Sequence, residues 1–250
     1  MRFKLKTVAP MEFDEFISIC KLNGLEIGAV ESELLKEYVS LLRYWNEKVN
    51  LISRKESDIW GRHILHCISP LFKFEIKEGS TILDLGTGGG LPGIPWAILK
   101  RNSNFVLLDG TRKKIEAVSD IVKNLGLKNV KTIWGRAEEI SKLNEFKGKF
   151  DYVLCRAVAE LKKLVRWSIE FLKFENFPEK ILEKIESKRY LHTGYLLAFK
   201  GGDVEKEIND AMKTSLVCNV EVFDLDFNGA EKVGFEDKKI VLLRLRTKKV

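Results

Sequence analysis

Cysteine and histidine are scarce in this sequence, and their scarcity limits the chemistry that the protein can perform. The chain of 250 residues has four cysteines and three histidines. The cysteines are widely spaced and form no Cys-x-x-Cys pair, so we expect neither a zinc site nor a thioredoxin-like redox motif. Isolated cysteines of this kind are typical of reduced thiols. The sequence therefore predicts a protein of the cytoplasm without a bound metal.

Long apolar runs are also missing. No stretch approaches the roughly 20 apolar residues that a membrane span requires. The first ten residues, MRFKLKTVAP, are charged and lack an apolar core of signal-peptide length. Apolar residues nevertheless make up 45% of the chain, which is enough for a folded core. We therefore expect a folded protein that does not associate with membranes.

Positive charge is in modest excess, with a net charge of +7. Such an excess is compatible with binding to nucleic acid, but solubility explains it equally well. Charge alone therefore leaves the partner undecided.

The pattern of apolar residues changes near residue 75. Before this point, three segments carry apolar residues at helical spacing: 12–24, 31–50 and 57–68. After it, short apolar runs alternate with amphipathic helical stretches. The seven predicted strands are 81–85, 104–109, 129–134, 150–155, 194–199, 219–225 and 239–246.

This order predicts the architecture. Alternating strands and helices give a parallel sheet covered by helices on both faces. The last two strands have no helix between them, so one of the two should be antiparallel. We expect an α/β, Rossmann-like fold with a seven-stranded, mostly parallel sheet. Residues 1–75 would form a helical N-terminal extension and residues 76–250 the main domain.

A glycine-rich stretch, TILDLGTGGGLPG, follows the first strand of this sheet and opens a helix. Nucleotide-like ligands bind at this place in doubly wound sheets. Gly86, Gly88 and Gly90 permit backbone angles that other residues avoid, and they let a ligand lie against the backbone.

Asp84 distinguishes two possible ligands for this loop. Gly88, Gly90 and Gly93 match the dinucleotide fingerprint G-x-G-x-x-G, which would suit an NAD-linked oxidoreductase. A pyrophosphate, however, needs positive potential, and the carboxylate of Asp84 opposes it. An acid here favours a ligand with an ammonium group and no phosphate. S-adenosylmethionine has that chemistry, so we expect a class I methyltransferase that uses this cofactor.

Two further places along the sheet are candidates for cofactor contacts. Asp109 ends the second strand, where an acid accepts the ribose hydroxyls of either cofactor. After the third strand comes GRAEE, where the backbone of Ala137 and Glu138 would meet an adenine edge. Alternatively, the acids of this stretch simply occupy the first turn of a helix, where they suit its dipole.

The stretch after the fourth strand, CRAVAE, has neither of two familiar methyltransferase patterns. It lacks the Asn/Asp-Pro-Pro-aromatic sequence of many amine methyltransferases, and no proline precedes Cys155 as in enzymes that methylate pyrimidine carbon. We expect Cys155 to be a buried thiol and not a nucleophile.

Seven segments in order resemble one family, the bacterial small-subunit rRNA guanine-N7 methyltransferases, RsmG, also called glucose-inhibited division protein B. The segments are WNEKVNLISR, RHIL, DLGTGGGLPGIP, LLDGTRKK, GRAEE, FDYVLCRAVA and AFKG. The resemblance implies transfer of a methyl group from S-adenosylmethionine to N7 of a guanine in 16S rRNA. It implies 16S rRNA or the small ribosomal subunit as partner, and a monomer is the simplest expectation.

The resemblance also implies the site residues. Those that the resemblance implies at the cofactor are Gly86, Leu91, Asp109, Ala137, Glu138 and Arg156. The glycine-rich stretch adds Asp84, Gly88 and Gly90 to the residues expected there. Arg136, Arg156 and Lys200 would form the catalytic face at which the RNA and the target base arrive. Asn50, Arg62 and His63 would close the site from the N-terminal part, or only tie that part to the sheet.

Guanine N7 has a neutral lone pair, so it can attack the methyl carbon in line with the departing sulfur. No proton has to leave first, and no general base is needed. This agrees with a sequence that shows no obvious pair of catalytic acids or histidines. The alternatives are methylation of another RNA or of a protein, and the oxidoreductase described above.

The chain departs from the family pattern at three places. His66 and Cys67 follow RHIL, where the family usually has Asp-Ser. Gly110 follows Asp109, where the family has serine. The segment 174–192 is longer and more charged than usual, and it would suit an added helix.

Overall fold

The computed structural model describes residues 9–174, 184–185 and 188–246. The helices are α1 (Phe13–Leu22), α2 (Ala29–Lys48), α3 (His66–Ile68), α4 (Pro70–Lys73), α5 (Gly93–Leu99), α6 (Arg112–Asn124), α7 (Ala137–Ile140), α8 (Leu161–Ser168) and α9 (Glu205–Met212). A π-helical turn, Trp60–Leu65, leads directly into α3. The strands are β1 (Phe74–Ile76), β2 (Thr81–Leu85), β3 (Asn104–Asp109), β4 (Val130–Trp134), β5 (Tyr152–Arg156), β6 (Lys184–Ile185), β7 (Lys188–Leu191), β8 (Tyr195–Gly201), β9 (Val217–Asp224) and β10 (Lys238–Leu245).

The seven predicted strands form one sheet in the order β4-β3-β2-β5-β8-β10-β9. The pairs from β4 through β8 are parallel, whereas β10 is antiparallel to both of its neighbours. This confirms the predicted α/β, Rossmann-like sheet, including its antiparallel ending. Because β2 lies next to both β3 and β5, the loops after these three strands meet at one edge of the sheet.

Alternate residues of each strand face opposite sides, and helices cover both. In β2, Ile82 belongs to the core shared with α1, α2, α5 and α6, whereas Leu83 belongs to the core shared with α8 and α9. The N-terminal helices therefore pack directly on the sheet and share its core. The boundary at residue 75 stays a prediction, and it falls within β1.

A second, small sheet lies beside the main one. β1 pairs in parallel with β7, and β7 pairs in antiparallel with β6. The predicted helix over 174–192 is therefore wrong at 184–185 and 188–191, which are strands. Its remaining part, 175–183 and 186–187, lies outside the described residues. The two strands β1 and β7 are more than 110 residues apart in the sequence, so their pairing is a tertiary contact that the local spacing of apolar residues does not encode.

Candidate functional site

The glycine loop between β2 and α5 is fixed to the end of the neighbouring strand β3. The backbone N–H groups of Gly86 and Thr87 both donate to the carbonyl of Leu108, at 2.8 and 3.0 Å. Gly86 has a φ of +75°, and a Cβ atom there would lie 2.5 Å from Val158 Cγ2. A side chain at Gly86 is therefore excluded by both backbone conformation and space.

Asp109, at the end of β3, joins two loops. Its Oδ2 accepts the N–H of Gly88 at 3.0 Å, and its Oδ1 accepts that of Thr111 at 2.8 Å. Gly88 has a φ of +58°, which places its N–H toward the carboxylate at low steric cost. The carboxylate is held in one orientation at the edge of the sheet, where a ligand's hydroxyl groups can reach it.

Asp84 is completely buried behind the glycine loop. Its Oδ2 accepts the hydroxyl of Thr87 at 2.6 Å and the N–H of Gly93 at 2.9 Å. Burial raises the pKa of this carboxyl to about 6. Its Oδ1 is buried and has no hydrogen-bond partner among the described residues.

The structure places Asp84 behind the glycine loop, and its contribution to cofactor binding stays a prediction. The carboxylate holds the loop to the start of α5, and Asp84 is not among the residues that line the cavity at the loop. Its negative charge acts from behind the glycines, and the loop backbone lies between.

A cavity of about 700 Å³ opens above the glycine loop and Asp109. Its volume lies within the roughly 300–1,000 Å³ of small-molecule sites. The predicted site residues that line it are Gly86, Gly88, Leu91, Asp109, Arg136, Ala137, Glu138 and Arg156. Gly90 and Lys200 do not line it. Gly90 instead lies against α5, where a Cβ atom would meet Ile94 at 2.4 Å.

The stretch GRAEE begins a helix and also lines the cavity. Ala137 is buried at the first position of α7, and Glu138 occupies the first turn of that helix. Both residues also line the cavity. Arg136 precedes the helix and is exposed. Its guanidinium packs against Gly110, where an added Cβ atom would lie only 3.0 Å from Nη1. The glycine at position 110 therefore gives this arginine room beside the cavity.

Arg156, at the end of β5, is tied to the N-terminal helical segment. Its Nη1 donates to the carbonyl of His63 at 3.4 Å and to the thiol sulfur of Cys67 at 3.2 Å. Its Nη2 lies 2.5 Å from Nδ1 of His63. An arginine side chain only donates, so His63 Nδ1 is the acceptor and the imidazole proton sits on Nε2.

His63 is neutral in this arrangement. Burial and the neighbouring charges of Arg156 and Arg62 lower its pKa from 6.5 to about 4. Arg62 itself is exposed and faces Glu56 at 3.7 Å. Of the three N-terminal residues predicted to close the site, His63 therefore makes the contact with the sheet.

Asn50 does not line the cavity, but its neighbours do. Leu51 and Ile52 are buried and form part of the cavity wall. Their N–H groups both donate to Oδ1 of Asn46, at 2.8 and 2.9 Å. Sequence reasoning missed these two residues because they follow a helix end and belong to no apolar periodicity.

A second cavity of about 530 Å³ lies beside the first, at the ends of β5 and β8. The two cavities share Arg156, Ala157 and Val158. The other residues around the second cavity are His66, Cys155, Ala159, Leu164, Phe199, Lys200, Gly201 and Lys238. Lys200 thus faces this cavity and not the one at the glycine loop.

The ammonium group of Lys200 is held on two sides. It donates to the carbonyl of Ala159 at 2.9 Å and pairs with Oε2 of Glu207 at 2.6 Å. The same carboxylate oxygen accepts the N–H of Leu161 at the start of α8. Glu207 lies in the first turn of α9 and belongs to no local motif, so this contact was not predictable from the sequence.

Cys155 behaves as the buried thiol that was expected. Its sulfur donates to the carbonyl of Leu85 at 3.2 Å, and burial raises its pKa well above the usual value. A protonated, buried thiol is a poor nucleophile.

The described residues show neither a membrane-spanning helix nor a metal-binding cluster. None of their helices has the length and apolar character of a membrane span. They also contain no cluster of three or more His, Cys, Asp or Glu side chains suited to a metal ion.

Comparison with known proteins identifies the family. A family model described as "GidB: rRNA small subunit methyltransferase G" matches residues 31–177. Ribosomal RNA small subunit methyltransferase G of Chlorobaculum tepidum is 36% identical over 230 residues, which cover 90% of this chain and 95% of that protein. The protein of the same description from Flavobacterium johnsoniae is 41% identical over 209 residues, covering 83% and 88%.

Among solved structures, fibrillarin of Aeropyrum pernix in complex with natively bound S-adenosyl-L-methionine is similar, with a TM-score of 0.48 and 17% identity over 67% of each chain. The family model spans more than half of this chain, and the relatives match most of it. The chain belongs to the GidB family, the family of rRNA small subunit methyltransferase G.

Proposed function

We propose that this protein transfers a methyl group from S-adenosylmethionine to N7 of a guanine in 16S rRNA. Its family makes it an S-adenosylmethionine-dependent methyltransferase of small-subunit rRNA. The observation that carries the proposal is the cavity above the glycine loop, which adjoins a second cavity through Arg156. One cavity suits the cofactor and the other suits the base.

The residues around the first cavity fit S-adenosylmethionine. Gly86 and Gly88 leave the backbone open, and a Cβ atom at Gly86 would disturb the wall at Val158. Asp109 offers a fixed carboxylate to ribose hydroxyls, and Ala137 and Glu138 offer backbone groups to an adenine edge. The unpartnered Oδ1 of Asp84 adds negative potential behind the loop, which suits a cationic ligand. When bound, the cofactor supplies an electrophilic methyl group on a positively charged sulfur.

The chain's own residues position the substrate. Guanine N7 is unprotonated, so no side chain has to accept a proton from it. The acceptor nitrogen of His63 is occupied by Arg156 and the thiol of Cys155 is buried, which agrees with a site that performs no acid-base step. Arg156, held by its bonds to His63 and Cys67, stands between the two cavities, and Lys200 faces the second. Holding two reactants in line supplies about 7–11 kcal/mol in favourable cases.

The surface around the first cavity suits RNA. Arg136 and Lys163 line its wall, and the exposed Arg112 and Lys113 lie in the chain between two further lining residues, Thr111 and Lys114. The ring of Trp134 is 56% exposed, with the guanidinium of Arg112 5.5 Å from its centroid. Cations and exposed rings together bind phosphates and unstacked bases. We infer that 16S rRNA, naked or within the small subunit, binds here to a monomer in the cytoplasm.

A comparison of four methyl acceptors, each incubated separately, tests this proposal directly. The purified protein is incubated with methyl-labelled S-adenosylmethionine and one of four acceptors: small ribosomal subunits, naked 16S rRNA, transfer RNA or a protein mixture. We expect label in one or both of the first two acceptors. Label in the transfer RNA or protein acceptor alone would support the alternative methyltransferase. A separate thermal-shift measurement compares the two cofactors, and stabilisation by NAD but not by S-adenosylmethionine would support the oxidoreductase.

A further inference from the structure

His66 lies in the wall of the second cavity and makes no hydrogen bond with its ring among the residues that the structure describes. Its side chain is nine-tenths buried, and its Nε2 is buried without a partner. A buried polar nitrogen without a partner costs folding free energy, whereas an apolar ring of the same shape would not. A histidine here is therefore unfavourable for the core alone, and such conflicts are typical of functional positions.

Aromatic packing fixes the orientation of this ring. The imidazole lies edge-on to Phe199, with 5.3 Å between centroids, and its centroid is 5.0 Å from that of Phe235. Phe199 lines the cavity and Phe235 does not. His66 is consequently held in place, in the wall of the cavity, by two aromatic rings.

The charges around His66 keep it neutral. Burial, with Arg156, Lys238 and His63 nearby, lowers its pKa well below 6.5. A neutral imidazole has one nitrogen that accepts a hydrogen bond. The second cavity therefore combines one neutral acceptor, His66, with cationic donors at Arg156, Lys200 and Lys238.

This arrangement of groups matches the edges of guanine. N7 and O6 lie on one edge and accept hydrogen bonds, whereas N2 carries donor hydrogens on the far side of the base. With N7 turned toward the first cavity, O6 faces Arg156 in the shared wall, and the donor edge points away from that wall. Enzymes that act on an extruded base recognise it by that edge.

We propose that the second cavity holds the target guanine and that His66 recognises its donor edge, as a residue that determines base specificity. This inference rests on the proposed function and assigns a part of it to one side chain. Adenine fits less well, because it carries an amino group where guanine has O6, opposite the cations.

The test uses guanosine 5′-monophosphate as the probe and adenosine 5′-monophosphate as the matched competitor. The chain has three histidines, so the imidazole signals of a protein labelled with ¹⁵N-histidine are assigned by single substitutions. We expect the His66 signals to shift with the guanine nucleotide and to respond much less to the adenine nucleotide. His66→Phe should weaken binding of the guanine nucleotide by about tenfold, as the loss of a buried hydrogen bond does.

A second readout separates recognition from stability. His66→Phe should raise the KM for small subunits with a smaller effect on kcat, and it should be as stable as the original protein or more stable. His66→Gln, which keeps an acceptor, should recover part of the affinity. His192→Phe, which removes an imidazole outside both cavities, is the control and should behave like the original protein.

Three outcomes overturn the inference: no shift of the His66 signals with the guanine nucleotide, equal affinity of His66→Phe for it, or an unchanged KM for subunits. Failure of the proposed function is seen separately, because the unsubstituted protein would then form no 7-methylguanosine at all.

Discussion

Nη2 of Arg156 lies 2.5 Å from Nδ1 of His63, so the end of β5 is joined to the π-helical turn of the N-terminal segment. This contact connects a residue between the two cavities with a part of the chain outside the strand-helix alternation. It makes the N-terminal helices part of the site and not only a cover for the sheet.

Replacing Arg156 by alanine should reduce activity far more than stability. The loss of a charged group at the reacting base should lower kcat/KM by about 100-fold or more. The free energy of unfolding should fall by about 1–3 kcal/mol, because His63 and Cys67 lose their donor. Urea denaturation and methyl transfer to small subunits measure the two effects.

The matched control for this substitution is Arg101→Ala. Arg101 is exposed near the opposite end of the sheet and faces Glu31 at 3.8 Å, so its loss should change neither quantity appreciably. If Arg156→Ala fails to fold, its role in the reaction is not separable from a structural one and this prediction is wrong.

Gly86→Ala should weaken binding of S-adenosylmethionine by about tenfold or more, equal to at least about 1.4 kcal/mol. The added methyl group would meet Val158 in the wall of the cavity. Gly79→Ala is the control, because Gly79 has a similar φ of +71° with open space around it. Both variants should lose about 1–2 kcal/mol of stability from the backbone conformation. Calorimetric titration should show weaker binding in Gly86→Ala alone, and equal affinities would contradict the prediction.

Asp109→Asn should also weaken cofactor binding, by about 10- to 100-fold. An amide has one oxygen, so it cannot accept the N–H groups of Gly88 and Thr111 from two oxygens as the carboxylate does. Asp210→Asn is the control, since Asp210 is an exposed partner of Lys213 at 2.8 Å. Tight binding to Asp109→Asn, measured by the same titration, would remove Asp109 from the cofactor site.

Stability should fall with pH below about 6.5, partly through His63. Its pKa is about 4 in the folded protein and near 6.5 when unfolded, so the unfolded state binds more protons in this window. As pH falls from 6.5 to 4, His63 is protonated in the unfolded state but not in the folded state, and the free energy of unfolding decreases. His66 acts in the same direction.

Asp84 opposes this trend, because its pKa is raised from 3.8 to about 6 and the folded state takes up its proton first. The measurement that isolates His63 is therefore a difference. His63→Gln should lose less stability than the original protein between pH 6.5 and 5, by denaturation at each pH. An identical slope for both proteins would count against the neutral His63.

The fold was predictable where the signal is local. The central strands of the main sheet, β2, β3, β5 and β8, carry short apolar runs that are buried on both faces, and turn residues separate them. β1 was not predicted, because its three residues, Phe74–Ile76, are too few to show an alternation of apolar and polar residues. Its partner β7 lies far away in sequence, and only tertiary packing selects that pairing.

The candidate site was predictable to the same extent. The glycine loop and Asp109 are marked by their position after strands, and the structure brings them to one cavity. The orientation of Asp84 was not predictable, because the same acid can face a ligand or bond to its own loop. His66 was noticed only as a departure from the family pattern, and its place beside Lys200 depends on how the N-terminal segment packs on the sheet.

The central claim is tested most directly by the identity of the methylated nucleoside. Unmethylated small ribosomal subunits are incubated with the protein and methyl-labelled S-adenosylmethionine, and the 16S rRNA is digested to nucleosides and separated. The account predicts label in 7-methylguanosine and in no other nucleoside. Label in a different nucleoside, or none from a protein shown to bind the cofactor, would contradict it.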